Sequence, residues 1–280
     1  MIQPIPPHPA LLLRRKGERA LIVADLHIGW EAALTSKGVH VPSQTPTLLD
    51  RLLKLIELHT PTRLIVLGDV KHTIANVKQQ EWRDVPLFFE AVAKKIADIQ
   101  VILGNHDGSL MPLLPETIEI LPSTGTVLHG VGLFHGHTWP APELLGCKSL
   151  VLGHIHPIVV FRDLLGFRRT RQVWVKAKCN GEQLAKGVLE HLGIKKADHP
   201  ARLLHKQFST RLKASQIIIL PAFNEFLGGH PFNETAKRRA RNSRQYISPI
   251  LRTGTHLDDA EIYLFDGTFL GTAKQLAPLS

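Results

Sequence analysis

Asp25 and His27 stand in "DLH", Asp69 in "GD", Asn105, His106 and Asp107 in "GNHD", His135 and His137 in "HGH", and His154 and His156 in "GHIH". Each cluster directly follows a run of aliphatic residues. Asp and His offer oxygen and imidazole nitrogen donors to a divalent cation, and the set is large enough for two ions that share a carboxylate. Two ions roughly 3.5 to 4 Å apart clamp a phosphate ester for hydrolysis, with a shared water acidified to act as nucleophile. The absence of thiolates argues against structural zinc, and the mixed O/N donors suit Mn, Fe, Co, Ni or catalytic Zn. Because side chains alternate along a strand, both members of a DxH or HxH pair are expected to point the same way.

The elements that must bring these groups together are legible as apolar runs. "ALIVADLH" (20–27), "RLIVLGD" (63–69), "QVILGNHD" (100–107), "GVGLFHGH" (130–137) and "KSLVLGHIH" (148–156) read as strands covered on both faces. Between them, 45–59 has leucines at helical spacing, and 79–97 reads as a helix bent or restarted at Pro86, which lacks an amide donor. Alternation of this kind is α/β, and the carboxyl ends of strands in such a sheet gather along one ligand-binding edge. Clusters from residue 25 to residue 156 can therefore meet.

Beyond them, "PIVVFRD" and "RQVWVKAKC" read as β segments around the basic loop "LLGFRRT". About 190–215 is polar and basic with weak helical character and is expected to be a linker or surface insertion. A strand (216–223), the Gly-rich "LGGHPFNE", the charge run "AKRRARNSRQY" (236–246) and a hairpin with a "DG" turn follow. These strands have too few helices for a second α/β domain, so residues 158–280 are expected to complete one domain with the core at about 20–157.

With 44% hydrophobic residues in 280, a substantial core can be buried, and no apolar run approaches the ~18 residues of a membrane span. Prolines occupy the start where a signal peptide would be apolar, so a soluble cytoplasmic protein is expected. Cys147 and Cys179 form no CxxC pair and read as buried thiols. Lys plus Arg is 34 against 24 for Asp plus Glu, a net charge of +10 that favours anionic partners such as nucleic acid. "FRRTR" and the 236–246 run are the candidate phosphate contacts. Aromatic residues, at 6%, suggest no interleaved stacking platform.

Taken in order, DxH, GD, GNHD, a strand-closing His and GHxH resemble the calcineurin-like metallophosphoesterase superfamily. The resemblance implies a four-layer α/β/β/α sandwich with two mixed β-sheets and flanking helices. It implies two divalent metal ions, Mn foremost: one held by Asp25, His27, Asp69 and His156, the other by Asp69, Asn105, His135 and His154. It also implies His106 as the general acid that protonates the leaving group, and Asp107 is expected to hold and polarise the His106 imidazole. His135 is preferred to His137 as ligand because it directly follows "GVGLF"; His137 then lines the pocket or holds water. His72 is expected near the pocket or on a solvent-facing loop, and Trp139 as a substrate wall or as packing.

Longer stretches, "DLHIGWE", "GDVKH", "HGHTWP", "GHIHP", "LPAFNEFLGG" and "DGTFLG", are similar to archaeal SbcD-related phosphoesterases, kin of bacterial DNA-ligase-associated phosphoesterases. SbcD-type repair nucleases carry a capping domain and an ATPase-binding segment for which this chain has no room, so ATP-coupled end processing is not expected. The expected substrate is a phosphodiester in nucleic acid or a nucleotide. The alternatives are a phosphomonoester, a cyclic nucleotide, or a non-catalytic scaffold, which would usually lack a ligand. A second copy of the chain and a DNA-repair protein such as a helicase are the candidate protein partners, and no membrane is expected.

Overall fold

The computed structural model describes residues 1–35, 37–163, 165–194, 198–234 and 248–279. Strands β1 (Ile2–Pro4), β2 (Leu11–Arg15), β3 (Glu18–Val23), β4 (Arg63–Leu67), β5 (Asp98–Ile102) and β6 (Glu119–Leu121) make one sheet in that spatial order. Its first two pairings are antiparallel and the other three parallel. Helices α1 (Glu31–Thr35), α2 (Thr45–His59) and α3 (Gln79–Ala93) lie in its crossovers.

The apolar positions of α2, Leu48, Leu52, Leu55 and Ile56, fall on one buried face, Pro46 opens the helix, and Thr60 closes it in a left-handed conformation. In α3 the Glu81 carboxylate accepts from the Lys78 amide at 2.8 Å, which satisfies an orphan donor at the helix start. The helix runs unbroken through Pro86 and stops at Ala93, neither restarting at the proline nor reaching residue 97. Val85, Phe88, Phe89 and Val92 are fully buried, and their packing outweighs the one lost hydrogen bond.

The second sheet is built from β7 (Thr126–Leu128), β8 (Val131–Phe134), β9 (Ser149–Leu152), β12 (Trp174–Lys178), β13 (Gln216–Ile219), β15 (Glu261–Tyr263) and β16 (Phe269–Thr272). The spatial order is β16-β15-β12-β13-β9-β8-β7, with β8, β9 and β13 parallel. Between β9 and β12 the chain makes a hairpin, β10 (Pro157–Arg162) with β11 (Arg168–Gln172), and β14 (His230–Pro231) joins β10 to give a third, small sheet. The segment read as the basic loop "LLGFRRT" thus ends in strand β11. The reason is cross-strand pairing: Val159 and Val160 of β10 sit opposite Arg171 and Thr170.

Helices α4 (Gly181–His191) and α5 (Pro200–Phe208) cover the outer face of the second sheet. The first begins at Asn180, whose side chain accepts from the Gln183 amide at 3.1 Å. Where a linker or insertion was expected over 190–215, α5 instead packs Leu204, fully buried, into the core. Three apolar clusters define the layers. One joins the first sheet to α2 and α3 (Leu21, Val66, Leu52, Phe88), and one joins the second sheet to α4 and α5 (Leu152, Val175, Leu184, Leu204). Between them Ile22, Ile65 and Ile102 of the first sheet meet Leu133, Val151 and Trp174 of the second. The order is α/β/β/α, as the resemblance implies.

The terminal hairpin β15–β16 turns at Asp266–Gly267, as its sequence suggests. Cys147 and Cys179 are free and buried, and burial pushes the Cys179 thiol up to about 11. Among the described residues no helix is long and apolar enough to cross a membrane. The charge run at 236–246 lies outside the described residues.

Candidate metal centre

Both large sheets deliver their polar clusters to one place. Asp25 and His27 follow β3, Asp69 follows β4 and Asn105 to Asp107 follow β5; from the second sheet come His135 after β8 and His154 and His156 after β9. Besides a group of three imidazoles, His27 with His72 and His106, two compact donor groups combine carboxylate and imidazole, Asp25 with His27 and His156, and Asp69 with His135 and His154, the donor atoms of each lying within 4.8 Å of one another. Asp69 stands between them: its Oδ2 is 3.4 Å from His27 Nε2 and 3.4 Å from His135 Nε2. Asn105 Oδ1 is 3.3 Å from His135 Nε2 and so borders the second group.

The backbone explains how the residues reach the centre. Asp25, His27, Asp69, His154 and His156 all adopt left-handed conformations, with φ of 59°, 43°, 52°, 68° and 47°. Such conformations cost non-glycine residues on the order of 1–3 kcal/mol each and persist only where surroundings dictate them. Asp25 and His27 share a donor group, as strand alternation leads one to expect, but for "GHIH" that expectation is overturned. His154 and His156 fall in different donor groups, because both residues lie beyond the end of β9, where the period of two no longer holds. Gly104 stands where a Cβ would collide with Asp69 Oδ1, so the need for this glycine is space; Gly108, the other glycine of "GNHDG", is exposed with open space around it.

Hydrogen bonds fix the imidazoles. His135 Nδ1 donates to the Leu67 carbonyl at 2.7 Å, His156 Nδ1 to Gly228 at 3.3 Å, and His106 Nδ1 to the His72 carbonyl. A carbonyl only accepts, so each Nδ1 carries a proton and each Nε2 is left to face the centre. This is the usual arrangement around a metal-binding histidine. Asp69 Oδ1 accepts from the His106 amide at 2.9 Å, which leaves Oδ2 turned to the two groups. Asp25 accepts from the His154 amide at 3.0 Å and lies 3.4 Å from His156 Nε2.

Charge is balanced tightly here. Burial works against a His135 cation, but the carboxylates of Asp69 and Asp25 outweigh it and push the imidazole up to about 9. Burial likewise opposes ionised Asp69, and the imidazoles of His135, His27 and His106 overcome it and hold the carboxyl low. Burial followed by the nearby His135 drives His154 down to about 3, and His137 to about 4. Burial dominates over Asp69 at His27, which is lowered well below the usual range. At the buried Asp107, desolvation together with the Asp69 charge pushes the carboxyl up to about 6.

These residues fit divalent cations. His27 Nε2, His156 Nε2 and both nitrogens of His154 are buried without a hydrogen-bond partner, an uneven arrangement for polar atoms unless a further group binds them. His106 Nε2 lies 3.9 Å from Asp69 Oδ2, at the edge of the centre. His72 borders the centre, its Nδ1 3.4 Å from His27 Nδ1, and His137 lies beside His135 and His154, tilted to the first and edge-on to the second, with ring centroids 5.2 and 6.0 Å away.

One expectation changes, and of the two readings of Trp139 the structure shows packing. Asp107 does not hold the His106 ring: its Oδ1 accepts from the Val70 amide and its Oδ2 from the Gly104 amide, each at 2.9 Å. It ties the GNHD turn to the GD loop, while the His72 carbonyl takes the His106 imidazole. Trp139 is packing, its indole lying over Gly187 of α4 and 6.4 Å from the His191 ring.

Three supporting residues escaped sequence reasoning. Lys71 is fully buried, and its ammonium donates to the carbonyls of Thr73 and His106. Glu81, buried in α3, accepts from the amides of His72 at 2.9 Å and Thr73 at 2.7 Å. Asn224, buried within "LPAFNEFLGG", donates to the Leu26 carbonyl at 3.1 Å, and its amide faces the Asp25 carbonyl at 3.4 Å. That motif was visible in sequence; nothing in a single sequence marks Lys71 or Glu81 as buried.

A sequence model of a family described as calcineurin-like phosphoesterase matches residues 18–218. No curated protein gives a significant match to the chain. The crystal structure of Pseudomonas putida nuclease MPE is similar at 23% identity and a TM-score of 0.49, over 95% of this chain and 98% of that one. Yfce, a phosphoesterase from E. coli, is similar at 22% identity and a TM-score of 0.33, over 51% of this chain and 73% of that one.

Proposed function

The chain belongs to the calcineurin-like phosphoesterase family, and from that premise we propose that it hydrolyses phosphodiester bonds in nucleic acids or nucleotides. The carrying observation is the position of Asp69 Oδ2, 3.4 Å from an imidazole nitrogen of each donor group, which suits a carboxylate shared by two cations. In this reading Asp25, His27, Asp69 and His156 hold one ion, and Asp69, Asn105, His135 and His154 the other. Manganese is the proposed metal, in keeping with an O/N donor set that has no thiolate. When bound, the two ions supply positive charge against the phosphate oxygens and acidify water enough for attack near neutral pH.

The chain's own residues do the rest. Nδ1–H bonds to backbone carbonyls hold His135 and His156 with Nε2 inward, so little reorganisation accompanies metal binding. The His72 carbonyl holds His106 by Nδ1–H and aims Nε2 at the centre, where the imidazolium form of the ring donates its Nε2 proton to the departing alkoxide and is left as neutral imidazole. Asp107 and Lys71 keep the turn that carries His106 against the GD loop. His72 and His137, on the pocket side, stand where they can contact the ester or its water.

The test is hydrolysis with Mn²⁺ of bis(p-nitrophenyl) phosphate, p-nitrophenyl phosphate, 2′,3′- and 3′,5′-cyclic nucleotides, DNA and RNA. Cleavage of diesters that is lost in Asp69→Ala is the expected result. Turnover of monoesters alone would overturn the diester reading, and activity surviving in Asp69→Ala would overturn the assigned site.

A further inference from the structure

A cavity of about 700 Å³ opens beside the metal centre, with Arg168, Arg171, Glu225, Gly228, Gly229 and Asp266 on its walls. Its volume falls within the ~300–1,000 Å³ of ligand sites. The cavity and the centre share a wall: Gly228 lines the cavity and its carbonyl receives His156 Nδ1, and at Gly229 a Cβ would collide with the His156 carbonyl. Behind that wall, Gln172 of β11 donates to the Asn224 carbonyl at 3.3 Å.

The charges are unequally spent. Arg168, Arg169 and Arg171 are exposed, and among the described residues no carboxylate pairs with them. The acids are already engaged: Glu225 pairs with Arg51 at 3.0 Å, and Asp266 accepts from the Thr268 amide at 2.9 Å within its own turn. With Glu225 neutralised by Arg51, two arginines face the single remaining carboxylate of Asp266, and the cavity keeps a small positive excess for an anion.

An aromatic surface adjoins it. Phe226, between Glu225 and Leu227, is 50% exposed although large and apolar. Its ring lies on Trp30 with centroids 6.0 Å apart and planes 13° from parallel, and the Trp30 amide faces the His27 carbonyl at 3.1 Å. The 6% aromatic content suggested no stacking platform, yet the fold places two aromatics that are distant in sequence at the rim of the site.

We propose that the β10–β11 hairpin and the 224–229 loop form a binding groove for a single polynucleotide strand, with Arg168 and Arg171 on its phosphates and a base on Phe226. Unpaired bases expose faces that can stack on an aromatic ring, whereas paired bases in a duplex do not, so the groove selects single strands. The inference deepens the phosphodiesterase reading, on which it rests for what happens at the centre.

The test is fluorescence anisotropy of the full chain loaded with Mn²⁺, with phosphorothioate-linked strands that resist cleavage: oligothymidylate, oligouridylate and a DNA duplex of equal length. Single strands should bind in preference to duplex, the tighter of the two naming the preferred sugar. Phe226→Ala should weaken strand binding about tenfold, since one base stack contributes ~1–3 kcal/mol. Arg168→Gln with Arg171→Gln should lower the slope of log Kd against log salt by about 1.4, or ~0.7 per single-strand phosphate contact. Equal binding of duplex and strand, an unchanged Phe226→Ala, or an unchanged salt slope would each overturn the groove. Bis(p-nitrophenyl) phosphate turnover by the unaltered chain is read separately: its absence defeats the phosphodiesterase reading and leaves the binding result standing.

Discussion

The metal centre and the arginine groove meet at the 224–229 loop and treat charge in opposite ways. In the centre, the carboxylates are buried and the imidazoles buried or half-buried, Asp25 and His135 completely, and hydrogen bonds with the backbone fix them. In the groove, Arg168 and Arg171 are exposed on a hairpin strand, and among the described residues no carboxylate is paired with them. Buried groups in a low dielectric interact strongly and tolerate little displacement, whereas exposed charges are screened and contribute modestly. The difference separates chemistry from affinity: a change in the centre should register in turnover, and one in the groove in salt-dependent binding.

The sharpest break is Asp69→Ala. It removes the carboxylate oxygen that lies 3.4 Å from both His27 Nε2 and His135 Nε2, one imidazole of each donor group. Several kcal/mol of transition-state charge stabilisation go with it, so turnover should fall by more than ~10³-fold. Metal analysis after Mn²⁺ loading should show fewer than two ions per chain. Two retained ions with unchanged turnover would remove Asp69 from the centre.

Next in size, His106→Ala should lower turnover of an alkyl phosphodiester by ~10²–10⁴-fold, the range for a lost general acid, with metal content unchanged. A p-nitrophenyl ester, whose leaving group needs no proton, should lose far less. Equal losses on both esters would make His106 a structural support and move proton donation elsewhere, His72, with its ring 5.8 Å from that of His106 and outside the proposed ligand set, being the next candidate.

Lys71→Met sharpens the comparison from within. The buried ammonium touches no donor atom of the centre; it holds the carbonyls of Thr73 and His106. Loss of such outer support typically costs 10–100-fold, and here the loss should again fall more heavily on the alkyl ester, because the group displaced is His106. A loss equal on both esters would place the role of Lys71 in folding rather than in aiming the acid.

How far sequence reached follows the same divide. The five strand runs that deliver the clusters were legible because they are continuous aliphatic stretches with a polar stop, and α2 because its leucines keep helical spacing. The assignment of His154 and His156 to separate groups was not available from periodicity, since it depends on left-handed backbone at both residues. Asp107 was misread for a related reason: its partners are backbone amides, one of them Val70, which no side-chain pattern reveals. Helix α5 escaped because a single fully buried leucine, Leu204, anchors an otherwise polar and basic stretch. Strand β11 escaped because its residues are polar and exposed, and pairing with β10 alone makes it a strand.

The smallest effect belongs to the groove. Glu225 lies on the cavity wall and pairs with Arg51 at 3.0 Å, while Arg51 keeps a second contact with the Phe223 carbonyl at 3.0 Å and sits over the Phe223 ring. Glu225→Gln should therefore leave Arg51 in place and remove one negative charge from the cavity, and because Glu225 is itself exposed and Arg51 keeps the Phe223 carbonyl the stability cost should be small. Strand binding should tighten about two- to threefold at low salt, and the gain should fade as ionic strength rises because screening shortens the reach of exposed charge. Titration by anisotropy at two salt concentrations reads both effects. Weaker binding in Glu225→Gln would mean that this carboxylate contacts the strand itself, and the groove would then be read by hydrogen bonding rather than by net charge.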